Sequence, residues 1–161
     1  MKPQDRHIHP IADRLLQRAD KEALLGQRGC VLWMTGLSGS GKSTLAIGLE
    51  RLLHENGILV QVLDGDNIRA GINSDLGFSE ADRSENIRRI AEIAKLFAHN
   101  GVVTICCFVS PTQAIRERAK AIIGTDMRSR NLACQRVEAR LGCKILNTMT
   151  DLGMPESHQV G

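Results

Sequence analysis

A glycine-rich segment constrains this chain more than any other feature. Residues 36–43 read Gly-Leu-Ser-Gly-Ser-Gly-Lys-Ser, which satisfies the pattern G-x-x-x-x-G-K-[ST]. Glycines let a loop turn its backbone N–H groups inward around a phosphate, and the helix that follows points its positive end at the same anion. Lys42 can reach the outer phosphates, and the Ser43 hydroxyl can complete a Mg²⁺ shell. The pattern predicts a nucleotide-binding loop; the alternative is a plain strand-to-helix turn.

Apolar runs and helical periodicities alternate around this loop. Strands are predicted at 31–35, 58–63 and 102–109, and helices at 11–25, from the loop to about 56–57, at 79–100 and from 110 onward. Ser79 and Asp82 form a capping-box-like pair at the start of the clearest helix. This alternation predicts right-handed βαβ units and a parallel sheet with helices on both faces.

Composition bounds the classes of function. A chain of 161 residues with 42% hydrophobic and 24% charged residues is typical of one packed domain. The net charge of +3 is too small to indicate a nucleic-acid or membrane partner, and no apolar run reaches the length of about 18 residues that a membrane span requires. Five cysteines without a CxxC pair argue against disulfides and zinc, and favour the reducing cytoplasm.

Polar residues follow the second and third predicted strands. In such a sheet, ligands bind at the carboxyl ends of the strands, where Asp64, Asp66 and Ser110 lie. Either aspartate could hold Mg²⁺ or accept a proton from an attacking hydroxyl; the alternative is a solvated Asp-Gly turn. The default role of Ser110 is to cap the helix that follows, although its position at the edge of the sheet also suits a ligand contact.

Basic residues gather on and before the 79–100 helix. Arg83 and Asn86 lie near its N-terminal end, where a guanidinium suits bidentate contact with phosphate or sulfate. A solvated helix face is an equal alternative for Arg83. For Arg88 and Arg89 we favour the solvated face, with pairing between Glu85 and Arg89.

Several runs together resemble the adenylyl-sulfate kinase family, in order and at its spacing. They are residues 28–44, 63–69, 75–79, 82–83, 85–89 and 108–111, and the resemblance spans about 8–126. It implies a P-loop NTPase-type α/β fold, incomplete at its C-terminal end. The implied reaction transfers the γ-phosphoryl of MgATP to the 3′-hydroxyl of adenosine 5′-phosphosulfate, giving 3′-phosphoadenosine 5′-phosphosulfate and ADP in sulfate assimilation.

The resemblance also assigns site residues. ATP would bind Gly36, Leu37, Ser38, Gly39, Ser40, Gly41, Lys42, Ser43 and Thr44, and Mg²⁺ would bind Ser43 and Asp66. The sulfonucleotide would bind Asp64, Asp66, Arg69, Phe78, Arg83 and Asn86, with its adenine stacked on Phe78. Catalytic roles fall to Lys42, Asp66 and Ser110, the last matching a phosphoserine position of the family. In-line transfer by positioned charges, without a covalent step, is the alternative for Ser110.

The chain departs from the family pattern near residue 126. Residues 1–126 form the predicted kinase domain, whereas 127–161 lack the basic lid sequence and are expected to be partly disordered. Turnover is therefore expected to be impaired, because a lid excludes water and completes the phosphoryl-transfer site. Alternatives are another P-loop small-molecule kinase and a non-catalytic nucleotide-binding remnant. A homodimer is also compatible with the sequence.

Overall fold

The structure, a computed structural model, describes residues 11–110 and 112–127. Its elements are α1 (Arg18–Leu25), β1 (Cys30–Thr35), α2 (Lys42–Glu55), β2 (Val60–Asp64), α3 (Gly65–Ala70), α4 (Glu80–His99), β3 (Val103–Phe108) and α5 (Gln113–Ile123), flanked by 3₁₀ turns at Ala12–Arg14 and Gly124–Asp126. The expectations for the segment after Met127 lie outside the described residues.

The three strands form a parallel sheet in the order β1-β3-β2. The central strand β3 is buried throughout, and its side chains alternate between two cores. Ile105 and Cys107 pack with Ala46 of α2 on one face. Cys106 and Phe108 belong to a second cluster with residues of α4 and α5 on the other face, including Ile90 and Ile115. The prediction of a parallel α/β sheet covered on both faces is confirmed.

The predicted N-terminal helix is divided in two. A 3₁₀ turn at Ala12–Arg14 precedes α1, and Gln17 separates them because its polar groups cap both pieces. The Gln17 backbone N–H donates to Asp20 Oδ2 at 2.8 Å, and its side-chain amide donates to the carbonyl of Leu15 at 2.7 Å. One continuous helix over 11–25 was therefore wrong.

Two further expectations need correction. A short helix, α3, follows Asp64, where the sequence predicted no helix; Asp64 Oδ1 caps it by accepting the Asp66 backbone N–H at 3.1 Å. The cap of α5 is Thr112, whose hydroxyl accepts the Ile115 N–H at 3.3 Å, so Ser110 is not the cap. Ser79 does cap α4 as predicted, accepting the Asp82 N–H at 3.1 Å.

The end of the described chain returns to the first strand. Met127 forms an isolated parallel bridge with Val31. Just before it, Asp126 is nearly buried and bonds to Arg18 of α1 and to His99 at 3.1 Å. These contacts tie α1 and the C-terminal end of α4 to one side of the sheet. No helix in the described residues is long and apolar enough to cross a membrane.

Candidate active site

The loop between β1 and α2 has the backbone geometry that its glycines permit. Gly39 and Gly41 have φ values of +76° and +79°, in the left-handed region that side chains rarely adopt. At Gly36 a Cβ would lie 2.6 Å from Ser40 Oγ, so a side chain there would require the Ser40 hydroxyl to turn away. Gly41 is also the N-cap of α2, which directs the positive end of that helix into the loop.

Lys42 lies across the loop that precedes it. Its Nζ donates to the carbonyls of Gly36 at 2.9 Å and Leu37 at 2.6 Å, and to Ser40 Oγ at 3.2 Å. The ammonium is therefore held at the mouth of the loop, where its charge favours an anion.

A hydrogen bond joins the loop to the end of β2. Ser43 Oγ donates to Asp64 Oδ2 at 2.8 Å, while the other oxygen of that carboxylate caps α3. Loop and strand end enclose a cleft of about 290 Å³. Its lining comprises Ser38, Gly39, Ser40, Gly41, Lys42, Ser43, Thr44, Asp64, Gly65, Asp66, Cys107 and Val109. The structure thus brings residues 38–44 of the predicted loop and both aspartates together, whereas Gly36 and Leu37 are not among the residues that line the cleft.

Cys107 is a cleft residue that the sequence analysis did not identify. Its Sγ lies 3.8 Å from the Lys42 carbonyl oxygen, at the carboxyl end of β3. Burial, with a smaller effect of the Asp64 charge, raises the pKa of the thiol to about 11. Cys107 therefore lines the cleft as a neutral group at physiological pH. Its place near the carboxyl end of a predicted strand was the sequence signal that could have suggested a role at the site.

Arg69, Phe78 and Arg83 form a second group. The Arg69 guanidinium lies over the Phe78 ring, 4.4 Å from its centroid, and donates to the Gly77 carbonyl at 2.9 Å. Arg83 Nε donates to the Phe78 carbonyl at 3.0 Å. The Phe78 side chain remains exposed, with a relative exposure of 72%. Two guanidinium groups and one accessible aromatic ring therefore share a short segment of surface.

Asn86 is buried rather than open to solvent. Its Oδ1 accepts a hydrogen bond of 2.9 Å from Asn73 Nδ2, and Asn73 has no exposed surface at all. Asn73 was missed by the sequence analysis, because an asparagine in a loop predicts a turn and carries no signal of burial.

The remaining arginines of α4 form ion pairs. Arg88 binds Glu85 through two hydrogen bonds of 2.7 Å, and Arg89 binds both Glu85 at 3.0 Å and Asp75 at 2.7 and 2.9 Å. Arg88 first, and then Arg89, lower the pKa of Glu85 to about 2, and Arg89 lowers the pKa of Asp75. The predicted pairing of Glu85 with Arg89 is confirmed.

Ser110 lies just beyond the cleft and is not among the residues that line it. It is 4% exposed, and its Oγ accepts a hydrogen bond from Trp33 Nε1 at 3.3 Å. Its carbonyl accepts from Arg116 Nη1 at 2.8 Å. The Trp33 ring in turn packs on Phe108, with ring centroids 5.7 Å apart.

A parallel sheet with a glycine-rich loop between its first strand and first sheet-covering helix defines a P-loop α/β domain. The sequence profile of the adenylylsulphate kinase family matches residues 28–137. This chain belongs to the adenylylsulphate kinase family.

Curated relatives and solved structures agree with this assignment. The adenylyl-sulfate kinase of Bacteroides thetaiotaomicron is 63% identical over 120 residues, covering 74% of this chain and 60% of the relative. The Bacteroides fragilis protein of the same name is 62% identical over 123 residues, covering 76% and 61%. The Mycobacterium tuberculosis APS kinase, solved in complex with AMPPNP and APS, shares 37% identity with a TM-score of 0.60 over 84% of each chain. This chain spans about 60% of the length of these curated relatives.

Proposed function

We propose that this chain binds MgATP in the cleft at the glycine-rich loop and transfers the γ-phosphoryl group to the 3′-hydroxyl of adenosine 5′-phosphosulfate. The observation that carries the proposal is the convergence of Lys42, Ser43 and Asp64 in one cleft, through the 2.8 Å bond between Ser43 and Asp64. Kinship with adenylyl-sulfate kinases supports the choice of acceptor. The site would act in the cytoplasm, as part of sulfate assimilation.

The donor set of the cleft fits Mg²⁺. A hydroxyl and carboxylates are the hard oxygen ligands that this ion takes, with phosphate oxygens and water completing its shell. Within residues 11–110 and 112–127, no cluster of three or more histidine, cysteine or acidic side chains could hold a metal by itself, which is consistent with an ion that arrives with the nucleotide. Bound Mg²⁺ would neutralise charge on the transferred phosphoryl group.

The two aspartates, Asp64 and Asp66, have different roles in this proposal. Asp64 is bonded to Ser43, so it belongs to the metal side of the cleft beside Lys42. The Asp66 carboxylate accepts no side-chain hydrogen bond in the described part of the chain, although the residue lines the same cleft. Asp66 would therefore orient the attacking hydroxyl and accept its proton, and with Ser43 it would help to hold Mg²⁺ when the ion is bound.

The sulfonucleotide would bind at the group around Phe78. Arg69 covers one face of the exposed ring, and the adenine would stack on the other face. Arg83 and Asn86 would supply donors for the phosphosulfate oxygens. Ser110 would act as a buried support for Trp33 rather than as a phosphoryl carrier, since its hydroxyl is already bonded and in-line transfer needs no covalent step.

Binding and turnover are tested separately. Titration calorimetry measures the affinity of the glycine-rich loop for MgADP. Lys42→Ala should weaken this affinity about 10- to 100-fold, because it removes a charge-assisted contact. Lys120→Ala, which removes an exposed lysine at the end of α5, is the matched control and should leave affinity unchanged. A coupled assay with ATP and adenosine 5′-phosphosulfate measures transfer, and Asp66→Asn should abolish it. Nucleotide binding without transfer in the wild-type chain would contradict the proposed activity.

We also propose that the kinase domain ends near residue 126 and that the different sequence of 127–161 lowers turnover. The family's lid residues would cover the nucleotides and exclude water from the transfer site. A chimera that replaces 127–161 with the corresponding segment of the Bacteroides thetaiotaomicron relative should then transfer phosphoryl groups at least tenfold faster. Equal rates for the chimera and this chain would refute the effect. Light scattering on both proteins tests the homodimer.

A further inference from the structure

A buried pair of carboxamides lies behind the proposed sulfonucleotide site. Asn73 is fully buried and Asn86 is 7% exposed, and they share one hydrogen bond, from Asn73 Nδ2 to Asn86 Oδ1 at 2.9 Å. A carboxamide has a donor end and an acceptor end of nearly equal size, so its orientation depends on its partners. In a buried pair, the hydrogen-bond partner of one carboxamide therefore determines whether the other carboxamide directs its donor end or its acceptor end away from the pair.

Arg89 decides the orientation of Asn73. A guanidinium group only donates hydrogen bonds, so the atom of Asn73 that faces Arg89 Nη1, at 3.5 Å, must be the acceptor Oδ1. Arg89 cannot turn away freely, because Asp75 binds it through two hydrogen bonds of 2.7 and 2.9 Å and Glu85 binds its Nε at 3.0 Å. Asn73 must therefore direct its Nδ2 toward Asn86.

The orientation of Asn86 follows by the same rule. Its acceptor Oδ1 is turned toward Asn73, which leaves the Nδ2 group with its two N–H donors on the other side. Nδ2 of Asn86 makes no hydrogen bond to any other residue that the structure describes. A donor group is thus left available one helical turn from Arg83, which lies beside Phe78.

We propose that Arg89 and Asn73 are positioning residues, which orient the Asn86 carboxamide so that its N–H donors face the anionic oxygens of the bound phosphosulfate nucleotide. The inference rests on the proposed function and extends it to two residues with no assigned role. Phosphate and sulfate oxygens accept hydrogen bonds and cannot donate them when ionised, so a reversed amide would present a carbonyl oxygen and repel the ligand.

Two substitutions of Asn73 separate orientation from packing. In Asn73→Asp the shape is kept and Arg89 retains a partner, but the group that faces Asn86 becomes an acceptor, which requires Asn86 to turn around. Affinity for adenosine 5′-phosphosulfate should then fall about tenfold or more. Asn73→Leu removes both polar ends, so the two orientations become similar in population and affinity should fall only about twofold. Arg88→Gln, on the same helix and bonded only to Glu85 among described residues, is the control.

Calorimetry and hydrogen exchange together decide the question. MgADP affinity, which reports on the glycine-rich loop, should be equal in all variants that remain folded by circular dichroism. In ¹⁵N-labelled protein without ligand, the side-chain N–H protons of Asn86 should exchange with solvent faster in the wild type than in Asn73→Asp, where they donate to the new carboxylate.

Each result has a defined meaning. Exchange at Asn86 that is as slow in the wild type as in Asn73→Asp would overturn the assigned orientation, whether or not any ligand binds. A loss of affinity that is larger in Asn73→Leu than in Asn73→Asp would indicate a packing role and overturn the positioning role. If the wild type binds MgADP but no adenosine 5′-phosphosulfate, the proposed acceptor fails, and the exchange rates alone decide the orientation.

Discussion

Gly29→Ala should destabilise the chain by about 2–5 kcal/mol, because the structure leaves no space for a methyl group at this position. A Cβ on Gly29 would lie 1.9 Å from the carbonyl oxygen of Ala98 and 2.8 Å from its carbonyl carbon. These are backbone atoms at the end of α4, where the same carbonyl accepts the Gly101 N–H at 3.0 Å. They cannot rotate aside as a flexible side chain could.

The magnitude follows from what must move. The separation has to grow from 1.9 Å to about 3.0 Å, a displacement of about 1.1 Å. Gly29 is held in place, since its N–H donates to Glu22 Oε1 at 3.0 Å and its carbonyl accepts from Arg18 Nη2 at 2.7 Å. Overpacking costs about 1–3 kcal/mol, and one or two weakened hydrogen bonds add about 1 kcal/mol each. Because the free energy of unfolding of a native protein is about 5–15 kcal/mol, this destabilisation would be a large fraction of the total.

Urea unfolding followed by far-ultraviolet circular dichroism measures the effect. Gly48→Ala is the matched control, because it makes the same chemical change inside α2, where nothing lies within 4 Å of the added Cβ. There alanine should stabilise the helix by about 0.5–1 kcal/mol, through its better helix propensity. Equal urea midpoints for Gly29→Ala and the wild type would refute the close approach of Gly29, just before β1, to Ala98 of α4.

Three further predictions concern buried and ionised groups. Thr104→Val should stabilise the chain by about 1–2 kcal/mol in the same urea experiment, because Thr104 Oγ1 is buried without a hydrogen-bond partner in the described structure. A lower urea midpoint for the variant would show that Thr104 Oγ1 does have a hydrogen-bond partner. Because Arg88 and Arg89 lower the pKa of Glu85 from 4.5 to about 2, its ion pairs stabilise the fold above pH 4.5 and lose that effect as the pH falls toward 2. Glu85→Gln should reduce the dependence of the urea midpoint on pH over this range, and high salt should reduce it in part. An unchanged pH dependence in the variant would contradict the ion pairs of Glu85 with Arg88 and Arg89. Cys107, with a pKa of about 11, should react with iodoacetamide at pH 8 far more slowly in the native chain than in urea, as read by peptide mass spectrometry, and equal rates would be inconsistent with its burial.

Local signals were sufficient for the elements that frame the loop. The capping pair at Ser79 and the glycine-rich run before Lys42 are set by residues a few positions apart, and both appear where the sequence predicts them. The helix α3 was missed because Asp64-Gly65-Asp66 has the composition of a turn, and a glycine at a first helical position carries no helical signal. The break at Gln17 depends on a side chain bonding backward to the carbonyl of Leu15, which apolar spacing does not register.

The site shows the same division between local and distant determinants. Ser43, Asp64 and Asp66 could be predicted because parallel strands end at one edge. The strand order could not, and it is this order that sets β3 between β1 and β2 and so brings Cys107 into the cleft. The burial of Asn73 likewise could not be predicted, because it requires α4 to pack over the loop that contains Asn73. Arg89, the α4 residue that bonds to Asn73, is 16 residues further along the chain.

The contacts of Lys42 imply that a nucleotide binds at the loop by exchange of hydrogen bonds rather than by a net gain. An ammonium group has three donors, and the loop offers three acceptors within 3.2 Å: the carbonyls of Gly36 and Leu37 and the hydroxyl of Ser40. A phosphate oxygen must displace one of them, so the number of hydrogen bonds made by Nζ stays about constant. What changes is the charge of the acceptor, since an ionised oxygen binds an ammonium more strongly than a neutral carbonyl does. Lys42 should therefore contribute chiefly to the preference of the loop for charged phosphates. The glycines with positive φ values and the N-terminus of α2 determine where the phosphate lies.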